Sequence, residues 1–162
     1  MNTPFGTSVL FICSGNIFRS MTAEYALRAC LDEKAALNVR SAGLVEAPHE
    51  IVDFVRDYLA QRAIDISAHV PRRLDPGMLA GADLAVAMDV THRQRVEANF
   101  GRRLPLFSEV AQGVEVPMPD VDEVVDDWRN NPAEAIEYGH AVMDRIFDGM
   151  PGFIERLPAF LE

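Results

Sequence analysis

The sequence contains only two cysteines, Cys13 and Cys30, among its 162 residues. Small secreted proteins often depend on several disulfides, so this low number favours a protein of a reducing compartment. The chain also lacks a run of about 20 apolar residues, the length needed to cross a bilayer. Its first six residues have neither the basic region nor the long apolar core of a secretory signal. We therefore predict a cytoplasmic protein that does not associate with a membrane.

Positive charge is scarce, with 15 lysines and arginines against 25 acidic residues and a net charge of −10. Proteins that coat nucleic acids need a positive surface to meet the phosphate backbone, so we expect no nucleic-acid partner. Internal repeats, low-complexity segments and flexible linkers are also missing. A chain of this length with 49% hydrophobic residues suits one domain over residues 1–162. The sequence leaves the oligomeric state open.

Short apolar segments alternate with segments of helical periodicity. The predicted strands cover residues 8–12, 37–39 (closed by 41–43), 84–88 and 104–107. Strands that alternate with helices predict a four-stranded parallel sheet covered by helices on both faces. Pro105 has no backbone N–H, which places the fourth strand at an edge of the sheet. Such sheets bind ligands beyond the carboxyl ends of their strands, so the loop after the first strand is the first candidate site.

The helices are predicted to begin at Met21, after Pro48, at Thr91 and after Asn131. Thr91 and Gln94 have the spacing of a capping box, and Gly101 can end that helix in the left-handed conformation. Asn131 is the expected cap of the last helix. Pro151, far inside that helix, is expected to kink or split it.

The loop after the first strand carries a cysteine and, six residues later, an arginine. It runs Cys13-Ser14-Gly15-Asn16-Ile17-Phe18-Arg19-Ser20. Backbone N–H groups of a tight loop and of a helix N-terminus converge on an anion, and their positive potential favours a reactive thiolate. Arg19 supplies a planar fork that matches two phosphate oxygens. Gly15 permits the turn, and Asn16 tolerates the left-handed backbone.

This loop resembles the signature of the low-molecular-weight protein tyrosine phosphatases and their arsenate reductase relatives, Cys-x-Gly-Asn-x-Cys-Arg-Ser. The chain departs from it only at Phe18, where a second cysteine usually stands. Ser41-Ala42-Gly43, Asp65–His69 and Ala87–Asp89 resemble further family segments, so the likeness covers nearly the whole chain. The resemblance implies a flavodoxin-like, three-layer α/β sandwich.

The resemblance also implies roles for individual residues. Cys13 would attack phosphorus, and Arg19 would hold the phosphoryl oxygens together with the backbone of Ser14, Gly15, Asn16, Ile17 and Phe18. Ser20 would donate a hydrogen bond to the Cys13 thiolate, although it could equally cap the following helix. Asn16, Ser41 and His69 would lock the loop from behind, and a surface or core role for His69 stays open. No metal or cofactor is expected.

The proton donor for the leaving group is less clear from the sequence. The family carries an aspartate, usually followed by proline, after its fourth strand. Alignment on Met118-Pro119-Asp120 makes Asp120 the acid, with Val121 where the proline should stand. Asp122 is an alternative acid. A register two residues earlier would place Met118 at the position of the acid and leave no donor. The segment could also be a solvated acidic loop without a catalytic role.

Two further features distinguish this chain from the family. Residues 115–127 lack the aromatic pair that commonly walls the substrate pocket, and Trp128 is predicted to be a core or cap residue instead. Phe18 removes the second loop cysteine that can trap the nucleophile as a disulfide. Cys30 is about 15 Å along the helix from Ser20, too far for a disulfide, and is predicted to be a core thiol.

These observations predict a cysteine-dependent phosphomonoester hydrolase that acts through a phosphocysteine intermediate. Its substrate would be a phosphorylated protein or a small aryl phosphate. Arsenate is a similar tetrahedral oxyanion, so an arsenate reductase that uses an external thiol is an alternative. A phosphate-binding regulatory module without turnover is a third hypothesis, motivated by the unusual acidic segment.

Overall fold

Three parallel strands form the centre of the molecule in the computed structural model, which describes residues 6–32 and 36–161. They are β1 (Ser8–Cys13), β2 (Asn38–Gly43) and β3 (Leu84–Ala87), in the order β2-β1-β3. Register places Cys13 beside Gly43 and Ile12 beside Ala87, so the carboxyl ends lie at one edge. The first five residues, on which the expectation of no secretory signal rests, lie outside the described part.

Helices cover both faces of this sheet, as predicted. They are α1 (Arg19–Cys30), α2 (Asp53–Gln61), α3 (Pro76–Ala80), α4 (Val90–Phe100), α5 (Phe107–Gln112), α6 (Val121–Val124) and α7 (Pro132–Arg156), followed by a 3₁₀ turn over Leu157–Phe160. Alternate residues of β1 enter different cores, because successive strand residues point to opposite faces. Phe11 packs with α1, α5 and α7, whereas Ile12 packs with α3 and α4. None of the described helices is both long and apolar enough to cross a membrane.

The prediction of a fourth strand is wrong, because the described residues form a sheet of three strands. Residues 104–107 contribute one isolated parallel bridge, between Leu106 and Ala87, in which the Ala87 N–H donates to the Pro105 carbonyl at 3.0 Å. Pro105 has no N–H to continue the ladder. The N–H of Leu106 instead donates to the side chain of Glu109 at 2.9 Å and caps α5. The chain therefore turns into a helix after one strand residue.

Several helix ends differ from the sequence predictions. Helix α4 is capped by Asp89, with His92 at the third helical position, rather than by Thr91 and Gln94. Gly101 does end it, in the left-handed conformation at φ 69°. Pro151 does not split α7, which is one helix from Pro132 to Arg156. Asn131 holds the N-cap position, but its side chain donates to carbonyls in the preceding turn.

Cys30 is not a core thiol. It is the last residue of α1 and is exposed, together with Arg28 and Ala29 before it. The apolar spacing that Cys30 shares with Ala23 and Leu27 is real, but only Ala23 and Leu27 are buried. The prediction that Cys30 is a core thiol is therefore wrong.

The long helix α7 packs unusually closely on α5 because glycines face it. A Cβ atom on Gly152 would lie 2.2 Å from the carbonyl oxygen of Ala111. One on Gly149 would lie 3.1 Å from the ring of Phe107. Since a backbone oxygen cannot rotate away as a side chain can, the contact at Gly152 admits no side chain without a shift of one helix.

We therefore expect Gly152→Ala to lower the free energy of unfolding by about 2 kcal/mol, despite the higher helix propensity of alanine. Urea denaturation of the purified protein measures this change. Glu155→Ala, at an exposed position of the same helix, is the control and should stay within about 0.5 kcal/mol of the unaltered chain. A more stable Gly152→Ala protein would contradict the close contact.

Candidate active site

The loop of residues 13–19 connects the end of β1 to the start of α1 at the carboxyl edge of the sheet. Asn16 adopts the left-handed conformation, with φ of 59°. A Cβ on Gly43 would lie 2.7 Å from the Ser14 carbonyl oxygen, so only glycine lets β2 approach the loop this closely. Backbone N–H groups of Leu44 and Val45 bind the carbonyls of Cys13 and Ser14, at 3.0 and 2.9 Å. The segment after β2 therefore holds one side of the loop.

Asn16 is fully buried and joins the loop to three other parts of the chain. Its side-chain amide donates to Ser20 Oγ at 2.9 Å and to Ser41 Oγ at 2.7 Å. Its Oδ1 accepts the backbone N–H of Arg72 at 3.1 Å. His69 Nε2 lies 2.9 Å from the Asn16 carbonyl oxygen. The structure thus brings together the residues expected to support the loop: Asn16, Ser20, Ser41 and His69.

These contacts limit where the two hydroxyl protons can point. Because Asn16 donates to both serines, each hydroxyl uses its own proton elsewhere. Ser41 donates to Oε1 of Glu24 at 2.5 Å. Ser20 Oγ lies 2.9 Å from Cys13 Sγ and 3.4 Å from the Ala42 carbonyl, so the sulfur is its closer partner. Ser20 is the second residue of α1 and not its N-cap.

Glu24 extends this network and was missed by the sequence analysis. It is 6% exposed and pairs with Arg28 one turn along α1, at 2.8 Å. A carboxylate is rarely buried without a partner. Its position four residues after Ser20 and four before Arg28 places all three along one side of the helix, which is a signal that the sequence did contain.

Arg19 points from the loop towards the segment before α6. It is 1% exposed, and its Nη1 donates to the Met118 carbonyl at 2.7 Å. Its Nη2 lies 3.5 Å from Oδ2 of Asp120. Asp120 also caps α6, because its Oδ1 accepts the Val121 N–H at 2.8 Å. Of the two candidate acids, Asp120 is therefore the one that contacts Arg19.

The segment before Asp120 is anchored through its carbonyl groups. Arg145 donates to the carbonyls of Val116 and Pro117, at 3.1 and 2.9 Å, and Tyr138 donates to that of Pro119 at 2.5 Å. Burial raises the pKa of Tyr138 above its usual value, so the hydroxyl stays a donor. Both anchoring side chains belong to α7. The sequence analysis missed them because nothing in the local sequence of this helix points to the segment before Asp120.

A second connection behind the loop was also missed. Ser14 Oγ lies 3.0 Å from Nε2 of His92, and Nδ1 of the same ring accepts the Asp89 N–H at 3.1 Å. Burial, followed by the positive charge of Arg19, lowers the pKa of His92 to about 3. His92 is therefore neutral, with its proton on Nε2. Asp89 Oδ1 in turn accepts the Met118 N–H at 2.8 Å, which links the two loops.

A cavity of about 210 Å³ opens above the loop. Trp128 lines it and does not belong to the core, so the prediction of a core or cap residue is wrong. Its ring lies 5.9 Å from that of His49, and the Arg129 guanidinium lies 4.5 Å from the ring centre. Both Asp120 and Asp122 reach this cavity. The other lining residues are Ser14, Gly15, Ile17, Phe18, Val45, Pro48, His49, Val52, Phe54, Val121 and Arg129.

Phe18 packs against α2 instead of offering a second thiol. Its ring meets that of Phe54 edge-on, with the centroids 6.2 Å apart. Phe54 in turn fits against α7 at Gly139, where a Cβ would lie 2.3 Å from its ring. The described residues contain no cluster of three metal-binding side chains.

The site has a thiol at the end of a parallel strand, and the thiol is hydrogen-bonded within a loop that also carries a buried arginine. These features define a class of phosphoryl-transfer site in which cysteine is the nucleophile. The comparisons with known proteins agree with this class. The family described as low molecular weight phosphotyrosine protein phosphatase matches residues 8–157. The chain belongs to this family.

Two curated relatives illustrate the range of the family. The chain is 31% identical over 96 residues to a protein-arginine-phosphatase of Bacillus subtilis, and the match covers 58% of this chain and 63% of that protein. It is 30% identical to the low molecular weight protein-tyrosine-phosphatase Etp of Escherichia coli, over 69% of this chain and 76% of Etp. The YwlE arginine phosphatase structure from Geobacillus stearothermophilus shares the fold, with a TM-score of 0.77, 21% identity, and coverage of 96% of this chain and 94% of that one.

The neutral state of His92 predicts how the free energy of unfolding depends on pH. In the unfolded chain this imidazole takes up a proton as the pH falls below about 6.5, whereas in the folded protein it resists protonation down to about pH 3. Its contribution is therefore complete above pH 6.5 and is lost as the pH falls towards 3.

We expect the free energy of unfolding of His92→Gln, measured by urea denaturation, to fall less than that of the unaltered protein between pH 7 and pH 4.5, by about 2 kcal/mol. Glutamine keeps an acceptor for the cap of α4 but does not titrate. His140→Gln, at an exposed histidine, is the matched control for the loss of one imidazole. Equal losses for His92→Gln and the unaltered protein would contradict the neutral state of His92.

Proposed function

We propose that this protein is a cysteine-dependent phosphomonoester hydrolase, with Cys13 as nucleophile, Arg19 as phosphoryl-binding residue and Asp120 as general acid. The observation that carries the proposal is the meeting of the two loops: Cys13 Sγ lies 2.9 Å from a hydroxyl donor, and Arg19 in the same loop reaches Asp120 at 3.5 Å. The loop that carries the nucleophile and the anion-binding group therefore borders the same cavity as the proton donor, through Ser14, Gly15, Ile17 and Phe18.

In the first step, the Cys13 thiolate attacks phosphorus and the bond to the leaving oxygen breaks. Asp120 gives its proton to that oxygen, which departs as a neutral alcohol or phenol. Arg19 and the backbone N–H groups of residues 14–19 would hold the equatorial oxygens as charge redistributes.

In the second step, water attacks the phosphocysteine and the sulfur–phosphorus bond breaks. The Asp120 carboxylate accepts the proton of the water, inorganic phosphate forms, and the thiolate is regenerated. The Ser20 hydroxyl supports both steps because it stabilises the thiolate as leaving group and as nucleophile. The Asn16 amide donates to the Ser20 oxygen, which leaves the Ser20 proton for an acceptor, and the charged thiolate at 2.9 Å is closer than the Ala42 carbonyl at 3.4 Å.

The proposed substrate is a phosphorylated protein whose modified side chain enters the cavity between rings. Trp128, Phe54 and Phe18 line it and suit an aromatic phosphate ester. Asp120 and Asp122 also reach it, and carboxylates pair well with a guanidinium group. Because one relative is a protein-arginine-phosphatase, phosphoarginine is the second candidate, in which Asp120 would protonate a leaving nitrogen instead of an oxygen. Phosphotyrosine and phosphoarginine peptides should be compared directly.

Neither alternative function has a specific observation in its favour. Arsenate reduction needs further thiols, and the only other cysteine of the chain, Cys30, stands at the far end of α1. A binding module without turnover would not require an aspartate at Asp120, beside Arg19.

We expect the unaltered protein to hydrolyse p-nitrophenyl phosphate at acid to neutral pH. Cys13→Ser should abolish turnover, because a serine hydroxyl is a far weaker nucleophile at this pH. Asp120→Asn should lower kcat about 100-fold or more, as expected on loss of a general acid. Absorbance of p-nitrophenol gives both values.

Asp122→Asn is the matched control, because it removes a neighbouring carboxylate of the same cavity and should retain kcat within a few fold. The reverse order, with Asp122 essential and Asp120 dispensable, would reject the assignment of the acid. An unaltered protein that binds phosphate without turning over any ester would favour the regulatory module, and thiol-dependent formation of arsenite would favour the reductase.

A further inference from the structure

Ser14 combines a position in the proposed phosphate-binding loop with an immobilised side chain. It directly follows Cys13, it is half-buried, and it lines the cavity. Elsewhere the loop offers backbone N–H groups and Arg19 to an anion, whereas Ser14 adds a hydroxyl. The partner that holds this hydroxyl determines what it can do.

The hydrogen-bond donors in the chain from Asp89 to Ser14 can be assigned one by one. The Asp89 N–H is a donor only, so Nδ1 of His92 must be the acceptor at 3.1 Å. A neutral imidazole then carries its single proton on Nε2. At 3.0 Å, that proton is donated to Ser14 Oγ. Ser14 is therefore the acceptor in this bond, and its own hydroxyl proton is not used by His92.

Burial explains why this order is stable. His92 is 1% exposed, and the charged groups that act on it are Arg19, Asp89 and Arg95. Burial disfavours a second proton on the ring most strongly, and the two arginines disfavour it further, against the opposing charge of Asp89. Among the described contacts, Ser14 Oγ has His92 as its one partner. The Ser14 hydroxyl is therefore held by His92 and keeps its own proton available beside the cavity.

We propose that the Ser14 hydroxyl donates a hydrogen bond to the bound phosphoryl group, and that His92 is a positioning residue that orients it through Nε2–H. The inference rests on the proposed function, since it assumes that the loop of residues 13–19 receives phosphate. It adds a side-chain donor to the backbone donors and to Arg19. It also gives His92 a role beyond the cap of α4.

The test measures binding of inorganic phosphate to the intact protein, which needs no turnover. Trp128 is the single tryptophan and lines the cavity, so its fluorescence reports occupancy. Ser14→Ala should weaken phosphate binding about tenfold, the effect of one hydrogen bond to a charged group. Ser14→Thr keeps the hydroxyl and should stay within about twofold.

His92→Leu tests the positioning role. Without its anchor the Ser14 hydroxyl can occupy three staggered rotamers, so phosphate binding should weaken about threefold. Combined with Ser14→Ala, the same change should add nothing, and the double variant should bind about tenfold, not thirtyfold, more weakly than the unaltered protein. Should His92→Leu fail to fold, His92→Gln replaces it in both backgrounds.

The outcomes separate this inference from the proposed function. Unchanged phosphate affinity in Ser14→Ala, or independent effects of the two substitutions, would overturn the inference even if the enzyme hydrolyses aryl phosphates. A protein that lacks turnover but follows the expected Ser14 series would reject the hydrolase and retain the donor. Absence of any phosphate binding in the unaltered protein would reject both.

Discussion

The left-handed backbone at Asn16 is the constraint on which the site depends. A loop that turns within residues 13–19 needs a residue that tolerates positive φ, and asparagine can also bind what surrounds it. Here its side-chain NH2 group donates to β2 and α1, and its two oxygens contact the segment of residues 69–72. Buried polar groups left unsatisfied are costly, so these contacts together stabilise one conformation of the loop. The loop is consequently fixed before any ligand arrives.

The parallel sheet could be predicted because both faces of β1 are buried, which produces a continuous apolar run rather than an alternating one. The loop could be predicted because its chemistry lies in consecutive residues. The fourth strand could not be predicted in this way. Residues 104–107 are apolar enough for a strand, but the N–H of Leu106 donates to the side chain of Glu109, three residues after Leu106, instead of to a strand. The same competition moved the cap of α4 to Asp89, where His92 provides the acceptor.

What the sequence concealed are contacts between residues far apart in the chain. Ser14 and His92 are separated by 78 positions, and Arg145 holds carbonyls nearly 30 positions before it. Neither pair has a local spacing that would reveal it. Trp128 was misassigned for a related reason: an aromatic ring in an acidic segment looks like an anchor, and only the packing of residues 45–49 opposite it identifies a cavity wall.

Helix α7 links stability to the site. Its glycines allow close packing on α5, and Gly139 accommodates the ring of Phe54 below the cavity. From the same helix, Tyr138 and Arg145 bind the carbonyls that precede Asp120. A general acid has to lie within hydrogen-bonding distance of the leaving oxygen, and displacement by 1 Å is costly. The four-residue helix α6 cannot provide that accuracy alone. The position of Asp120 therefore depends on the contacts that α7 makes with the segment before it.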